Sequence, residues 1–243
     1  MTRRARDSLI DILRDEGVTH IFGNPGSTEM PLMDALVDVP DIAYVLGLQE
    51  ATAVGMADGW ALASGRAGFV NLHAMGGVGN AMGVLVASKA SETPLVVTAG
   101  QQDTRHLMTE PWLSGDLVAL AAPVTKWAKE LRRGEDMGRA LRRAFAVCRT
   151  PPCGPVFLSL PMDILDQEVN GPTPPAFGPA AARAVSRCGA PGREARRPRP
   201  GSGHRVARRR PAGRGERGPG RVRRDRRLCS VGDATHLARR VSF

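Results

Sequence analysis

The 243 residues carry 34 Lys and Arg against 24 Asp and Glu, a formal net charge of +10, and 42% of them are hydrophobic. That length gives one domain with a real core, or one and a part. No run of about 18 apolar residues exists, so no transmembrane helix is expected, and the four cysteines (Cys148, Cys153, Cys188, Cys229) make neither a C-x-x-C pair nor a zinc-ligand spacing with histidine.

The charge is unevenly spread. Residues 1–177 hold 15 basic and 20 acidic residues, a net of −5, whereas residues 178–243 hold 19 arginines, no lysine and 4 acids, a net of +15. The first part reads as a mildly acidic globular domain and the second as a polycation. Arg3, Arg4 and Arg6 are followed by Asp7, Asp11, Asp15 and Glu16, which is unlike a signal or transit peptide. With thiols read as reduced, a cytoplasmic protein is expected.

In chain order, residues 5–16 predict an amphipathic helix, with Leu9, Ile10, Ile12 and Leu13 on one face and Asp7, Asp11 and Asp15 on the other. Gly17 ends it. Val18–Phe22 is a first strand and Gly23–Ser27 a turn, after which Ser27 or Thr28 caps a helix to about Val37. Ile42–Leu46 is a second strand, followed by an Ala- and Gly-rich helix from about Gln49 to Ala63. Gly68–Leu72 is a third strand, His73–Gly79 a glycine-rich bend, and Asn80–Ala90 a helix. Leu95–Ala99 is a fourth strand running into Gly100-Gln101-Gln102. A surface loop over 103–112 and a short helix near Leu113–Leu120 lead to a fifth strand at Val124–Trp127. A helix over 135–148, a Pro-rich turn and a sixth strand at Pro155–Leu160 complete the pattern. Strands alternating with helices at this spacing predict an α/β fold, a three-layer domain with a six-stranded parallel sheet, over residues 1–172.

From about Gly171 the pattern dissolves. Residues 178–243 contain no Ile, Met, Trp, Tyr, Asn, Gln or Lys. A tail over 173–243 made of Arg, Gly, Pro and Ala cannot bury enough apolar surface to offset its chain entropy, so disorder is expected. The missing residue types mostly have AT-rich codons, which suggests a frame-shifted translation of a GC-rich gene. The rival reading is a nucleic-acid-binding arm. No aromatic interleaving supports it, which leaves nonspecific charge attraction.

Three polar residues fall at successive strand ends, where open α/β sheets bind ligands: Ser27, Glu50 and His73. Each has a plainer reading alone. Ser27 serves as an N-cap, Glu50 as a carboxylate at a helix start, and His73 as a structural histidine. Gly77-Val78-Gly79-Asn80-Ala81-Met82-Gly83 fails the dinucleotide spacing, because Met82 stands where the third glycine belongs. The glycines read as allowing a bend and close helix–sheet packing.

The strings Phe22-Gly23-Asn24-Pro25-Gly26-Ser27, Leu48-Gln49-Glu50-Ala51, Ala57-Asp58-Gly59-Trp60-Ala61, Asn71-Leu72-His73, Gly77-Val78-Gly79-Asn80-Ala81-Met82-Gly83 and Pro94-Leu95-Val96-Val97-Thr98-Ala99-Gly100-Gln101-Gln102 occur in that order. Gly154-Pro155-Val156 and Leu160-Pro161 follow them. Together they resemble the N-terminal pyrimidine-binding (PYR) domain of thiamine-diphosphate-dependent enzymes. The benzoylformate decarboxylase type is nearest, and the acetolactate synthase group is more distant.

The resemblance implies a 2-keto acid decarboxylase with thiamine diphosphate as cofactor. It implies that Glu50 hydrogen-bonds a ring nitrogen of the cofactor's aminopyrimidine, and that Pro25, Gly26 and Asn80 shape the pocket. It further implies that His73 relays protons and that Ser27 binds the keto acid's carboxylate. The family's diphosphate-binding domain carries a Gly-Asp-Gly motif and a later Asn for the metal. Here Val231-Gly232-Asp233-Ala234 is the nearest string and lacks both the second Gly and the Asn. Mg2+ is thus expected only through a missing or separate diphosphate-binding domain. The chain is expected to be a truncated half of the enzyme, inactive alone, paired as a homo-oligomer or with a diphosphate-domain chain and not with a membrane. Alternatives are an acetolactate synthase-like carboligase fragment and a non-catalytic PYR interaction module.

Overall fold

The two central strands of the computed structural model, which describes residues 3–176, are buried along their whole length. They are β3 (Gly68–Leu72) and β4 (Leu95–Gln101). Outward from β3 lie β1 (His20–Gly23) and the edge strand β2 (Ala43–Leu46); outward from β4 lie β6 (Val156–Pro161) and the edge strand β5 (Ala128–Glu130). The order is β2-β1-β3-β4-β6-β5, and every pair is parallel. The chain runs from β1 to β2 on one side, then crosses to β3 on the other. That reversal places a topological switch point between β1 and β3.

Helices cover both faces, because successive strand residues point to opposite sides. Phe69, Val96, Val156, Leu158 and Leu160 join one core, beneath α1 (Ala5–Asp15), α2 (Met30–Leu36) and α6 (Met137–Arg149). Val70, Leu72, Val97, Ala99 and Phe157 join the other, beneath α3 (Glu50–Ser64), α4 (Ala74–Ala90) and α5 (Leu117–Ala121). Leu9, Ile10, Ile12 and Leu13 form the buried face of α1, as their spacing predicts. The α/β class and six-stranded parallel sheet expected from the sequence are present.

Fully buried Arg142 ties the domain's ends together. It donates to Asp15 Oδ2 at 2.5 Å, to Glu16 Oε1 at 2.7 Å and to the carbonyl of Pro174 at 2.9 Å. The 168–174 segment also returns to the start of the chain, where Val169 N donates to the Arg3 carbonyl at 2.9 Å.

Four local expectations are corrected. Ser27 and Thr28 do not cap a helix with their side chains; the 3-10 turn Ser27–Glu29 begins after Gly26, and Glu29 Oε2 accepts the Gly26 N–H at 2.7 Å. The sequence 73–79 is not a bend, because α4 starts at Ala74. Fully buried Ala74 makes the turn alone, at φ +46°, a left-handed conformation costly for a residue with a Cβ. The fifth strand lies at Ala128–Glu130 rather than 124–127, and Ala122–Val124 is a 3-10 turn. A seventh helix, α7 (Met162–Leu165), follows β6. The tail expected over 173–243 lies outside the described residues from residue 177 onward.

Candidate active site

Glu50 is the first residue of α3, and the chain reaches it from β2 through Gly47–Gln49. Gln49 caps the helix, its Oε1 accepting from Thr52 N at 3.2 Å. Glu50 is buried, 6% exposed. Asn24, in the turn after β1, donates to Oε1 at 3.1 Å, and Asn80, one turn and a half into α4, donates to Oε2 at 2.9 Å. A carboxylate accepts about four hydrogen bonds, so each oxygen keeps capacity for one further donor. Of the glycines in α4, Gly77 packs closely here. A Cβ on Gly77 would stand 3.2 Å from Glu50 Cγ and 3.3 Å from its Oε1, a tight approach that would press on the Glu50 side chain.

His73 follows the last residue of β3. Its side chain is 23% exposed, and its Nδ1 lies 2.8 Å from Glu29 Oε2. Thr28 Oγ1 lies 3.1 Å from the same nitrogen. The imidazole rests on Gly26, where any Cβ would collide with the ring. Pro25 and Gly26 are half-buried in the turn that carries Asn24. Ser27 follows them and is exposed. Glu50 and Asn80 are in direct contact, and His73 meets Gly26. Ser27 comes to the same rim of the sheet through its place in the turn, with no capping bond to hold it.

Glu29 was not singled out from the sequence. It is 1% exposed and accepts from Gly26 N at 2.7 Å, Thr28 Oγ1 at 2.8 Å and Gly100 N at 2.8 Å, and its Oε2 faces His73 Nδ1 at 2.8 Å. The one available signal was Gly26-x-x-Glu29, a glutamate placed to close a first turn. Tyr44 lies within reach of its field. Burial first, and then the charge of Glu29, push the Tyr44 phenol above its ordinary range, so it stays neutral and donates to Asn71 Oδ1 at 3.1 Å.

The site is a one-sided rim. A cavity of about 970 Å³ opens elsewhere, beside Gln101, Trp127 and Glu130, and neither Glu50 nor His73 lines it. Among the described residues, no group of three or more His, Cys, Asp and Glu is arranged to hold a metal ion. No described helix is long and apolar enough to cross a membrane.

Residues 3–120 match the family described as thiamine pyrophosphate enzyme, N-terminal TPP binding domain. The chain is 47% identical over 178 residues to benzoylformate decarboxylase of Pseudomonas aeruginosa, covering 72% of this chain and 32% of that protein. It is 34% identical over 160 residues to the acetolactate synthase isozyme 3 large subunit of Escherichia coli K12, covering 66% of this chain and 28% of that subunit. Among solved structures, the thiamine diphosphate-dependent 4-hydroxybenzoylformate decarboxylase of Rhodococcus jostii RHA1 superposes with a TM-score of 0.67 at 42% identity, covering 70% of this chain and 32% of that one. The chain thus spans about a third of the length of the relatives it matches.

Proposed function

Residues 3–120 belong to the N-terminal TPP binding domain of thiamine pyrophosphate enzymes, and on that footing we propose that this chain supplies the pyrimidine-binding side of a 2-keto acid decarboxylase of the benzoylformate decarboxylase type. The observation that carries the proposal is Glu50. It is a buried carboxylate at the sheet's switch point, held by Asn24 and Asn80, with one acceptor position open on each oxygen. Those open acceptor positions fit a protonated ring nitrogen of an aminopyrimidine.

When bound, thiamine diphosphate would supply a nucleophilic carbon for attack on the keto acid and would hold the electron pair left as carbon dioxide departs. Glu50 would keep or exchange a proton at one pyrimidine nitrogen. Asn24 and Asn80 would fix the carboxylate's plane, and Pro25 and Gly26 would shape the wall beside it. His73 would move protons at the substrate through Nε2, and exposed Ser27 would donate to the substrate's carboxylate.

Mg2+ and the diphosphate would be held from outside the described residues, by a diphosphate-binding domain of a second copy or of another chain. The surface between α3 and α4 suits such a neighbour: from Ala51 to Ser88 its only charged side chains are Asp58 and Arg66, so few charges would be desolvated. A cytoplasmic location belongs to the same proposal; Cys148 and Cys153 are free thiols, as a reducing compartment keeps them.

The test is release of carbon dioxide from benzoylformate with thiamine diphosphate and Mg2+. The chain is assayed alone and with a separately expressed diphosphate-binding domain. Turnover only in the mixture is expected. Equal turnover by the chain alone would overturn the half-site reading, and none in either case would overturn the decarboxylase reading. The 34% identity to an acetolactate synthase subunit favours a second reading, carboligation. Appearance of a coupled hydroxy-keto product from pyruvate, instead of free aldehyde, would select it.

A further inference from the structure

Glu29 is a buried acid that the proposed chemistry does not use, and its surroundings are unusually complete. Oε1 accepts from Thr28 Oγ1 and Gly100 N, both at 2.8 Å; Oε2 accepts from Gly26 N at 2.7 Å and faces His73 Nδ1 at 2.8 Å. The donors come from three separate parts of the chain: the turn after β1, the end of β3 and the end of β4. With two donors on each oxygen, all four acceptor positions of the carboxylate are filled. No position remains for a substrate or a water, so Glu29 is not itself a proton acceptor in turnover.

Two of the donors are backbone N–H groups, which cannot reverse. Their fixed polarity keeps Glu29 an acceptor. The Thr28 hydroxyl has one proton, given to Oε1, so its oxygen offers only a lone pair to Nδ1 at 3.1 Å; with Oε2 and Thr28 Oγ1 both facing it as acceptors, Nδ1 carries the imidazole proton. The other ring nitrogen, Nε2, then bears the lone pair, and it makes no hydrogen bond within the described residues. We infer that Glu29 is the positioning residue for His73: it fixes the Nδ1–H tautomer and the ring plane, so that Nε2 reaches the rim as a ready proton acceptor. This rests on the proposed role of His73 for its meaning in catalysis, though not for its measurement.

The substitution that isolates the role is Glu29→Gln. The amide has one acceptor oxygen and one donor nitrogen, so one pair of partners must face the nitrogen. Gly100 N is fully buried, whereas Gly26 N is half-buried and within reach of water. The oxygen therefore turns to Gly100 and Thr28, and the amide nitrogen faces His73. Nδ1 then faces an N–H at the shorter of its two contacts, which favours its lone-pair form, and the proton moves to Nε2.

The experiment is a two-bond proton–nitrogen correlation spectrum of the full chain labelled at histidine nitrogen, taken above the imidazole titration with neither cofactor nor keto acid present. The five histidines of the chain are separated by the signal lost in His73→Gln. The expected wild-type result is a protonated Nδ1 and a lone-pair Nε2 for His73, with the pattern exchanged in Glu29→Gln. A wild-type His73 protonated at Nε2 would overturn the inference by itself, whether or not the variant folds, as would an unchanged tautomer in a folded Glu29→Gln. A wrong tautomer leaves the decarboxylase reading standing, and absent turnover leaves the tautomer standing, so the two failures are separable.

Discussion

Asn80, inside α4, donates to Glu50 Oε2 at 2.9 Å, across the groove between α4 and the first turn of α3. Asn24 reaches the other oxygen at 3.1 Å from the turn after β1. Both partners are amides, and an amide can rotate to present either a donor or an acceptor.

Glu50→Gln is therefore expected to fold. Asn24 or Asn80 turns its carbonyl toward the new amide nitrogen, and the change in unfolding free energy stays within about 1 kcal/mol. Thiamine-diphosphate-dependent decarboxylation in the complemented assay falls by about 10²–10⁴-fold, the usual contribution of a positioned proton-transfer group. Urea unfolding and the carbon dioxide assay, run side by side, check the pair of outcomes. A large stability loss together with retained activity would refute the assignment.

Gly26→Ala tests the contact between the turn and the imidazole. The backbone of Gly26 is extended, at φ −131° and ψ −155°, so alanine meets no conformational penalty there. Its Cβ would instead collide with Nδ1, Cγ and Cε1 of His73. The ring is partly exposed and swings away, which breaks its contact with Glu29. The expected stability cost is about 1 kcal/mol, the low end for overpacking. The expected activity loss is about 10²-fold, as for a reacting group displaced by an ångström. A crystal structure of the variant would show the ring displaced.

Arg142→Ala removes the clamp between α6, the end of α1 and the 168–174 segment. Glu16, only 7% exposed, keeps a single ionic partner, Arg149 at 2.5 Å. Breaking a buried pair from one side costs about 3–5 kcal/mol, and a loss of that order in urea unfolding is expected. The rim around Glu50 is built from other elements. Under native conditions Arg142→Ala should therefore retain wild-type activity in the complemented assay.

Alkaline pH should weaken the fold through Cys148. Burial pushes its thiol up to about 12 from an ordinary 9.0. Once unfolded, the thiol ionises near its ordinary value, so above that pH the unfolded state releases a proton that the native state retains. This stability is present in full below about pH 9 and declines by about 1.4 kcal/mol per pH unit as the pH rises toward about 12. Unfolding curves at several pH values check the slope, and Cys148→Ala should flatten it. At pH 8, a thiol reagent should label half-buried Cys153 and spare Cys148 until denaturant is added.

Much of the architecture was legible in the sequence because it follows local rules. The spacing of Leu9, Ile12 and Leu13 specifies the inner face of α1, and the apolar runs at 68–72 and 95–99 lie within the buried strands. The alternation of strand ends with helix starts is enough to expect Ser27, Glu50 and His73 at one edge of the sheet.

What only the tertiary structure decided depends on partners far apart in the chain. The glycines after His73 suggest a bend, yet they lie inside α4, where Gly77 packs against Glu50, 27 positions earlier in the sequence. Glu29 reads locally as an acid closing a first turn. Its place beneath His73 is made by donors 44 and 71 residues away, which meet it only because β1, β3 and β4 lie side by side in the sheet. Propensity and periodicity act over a few residues and so predict elements. The saturation of one buried carboxylate by four donors is set by strand order, which no local pattern encodes.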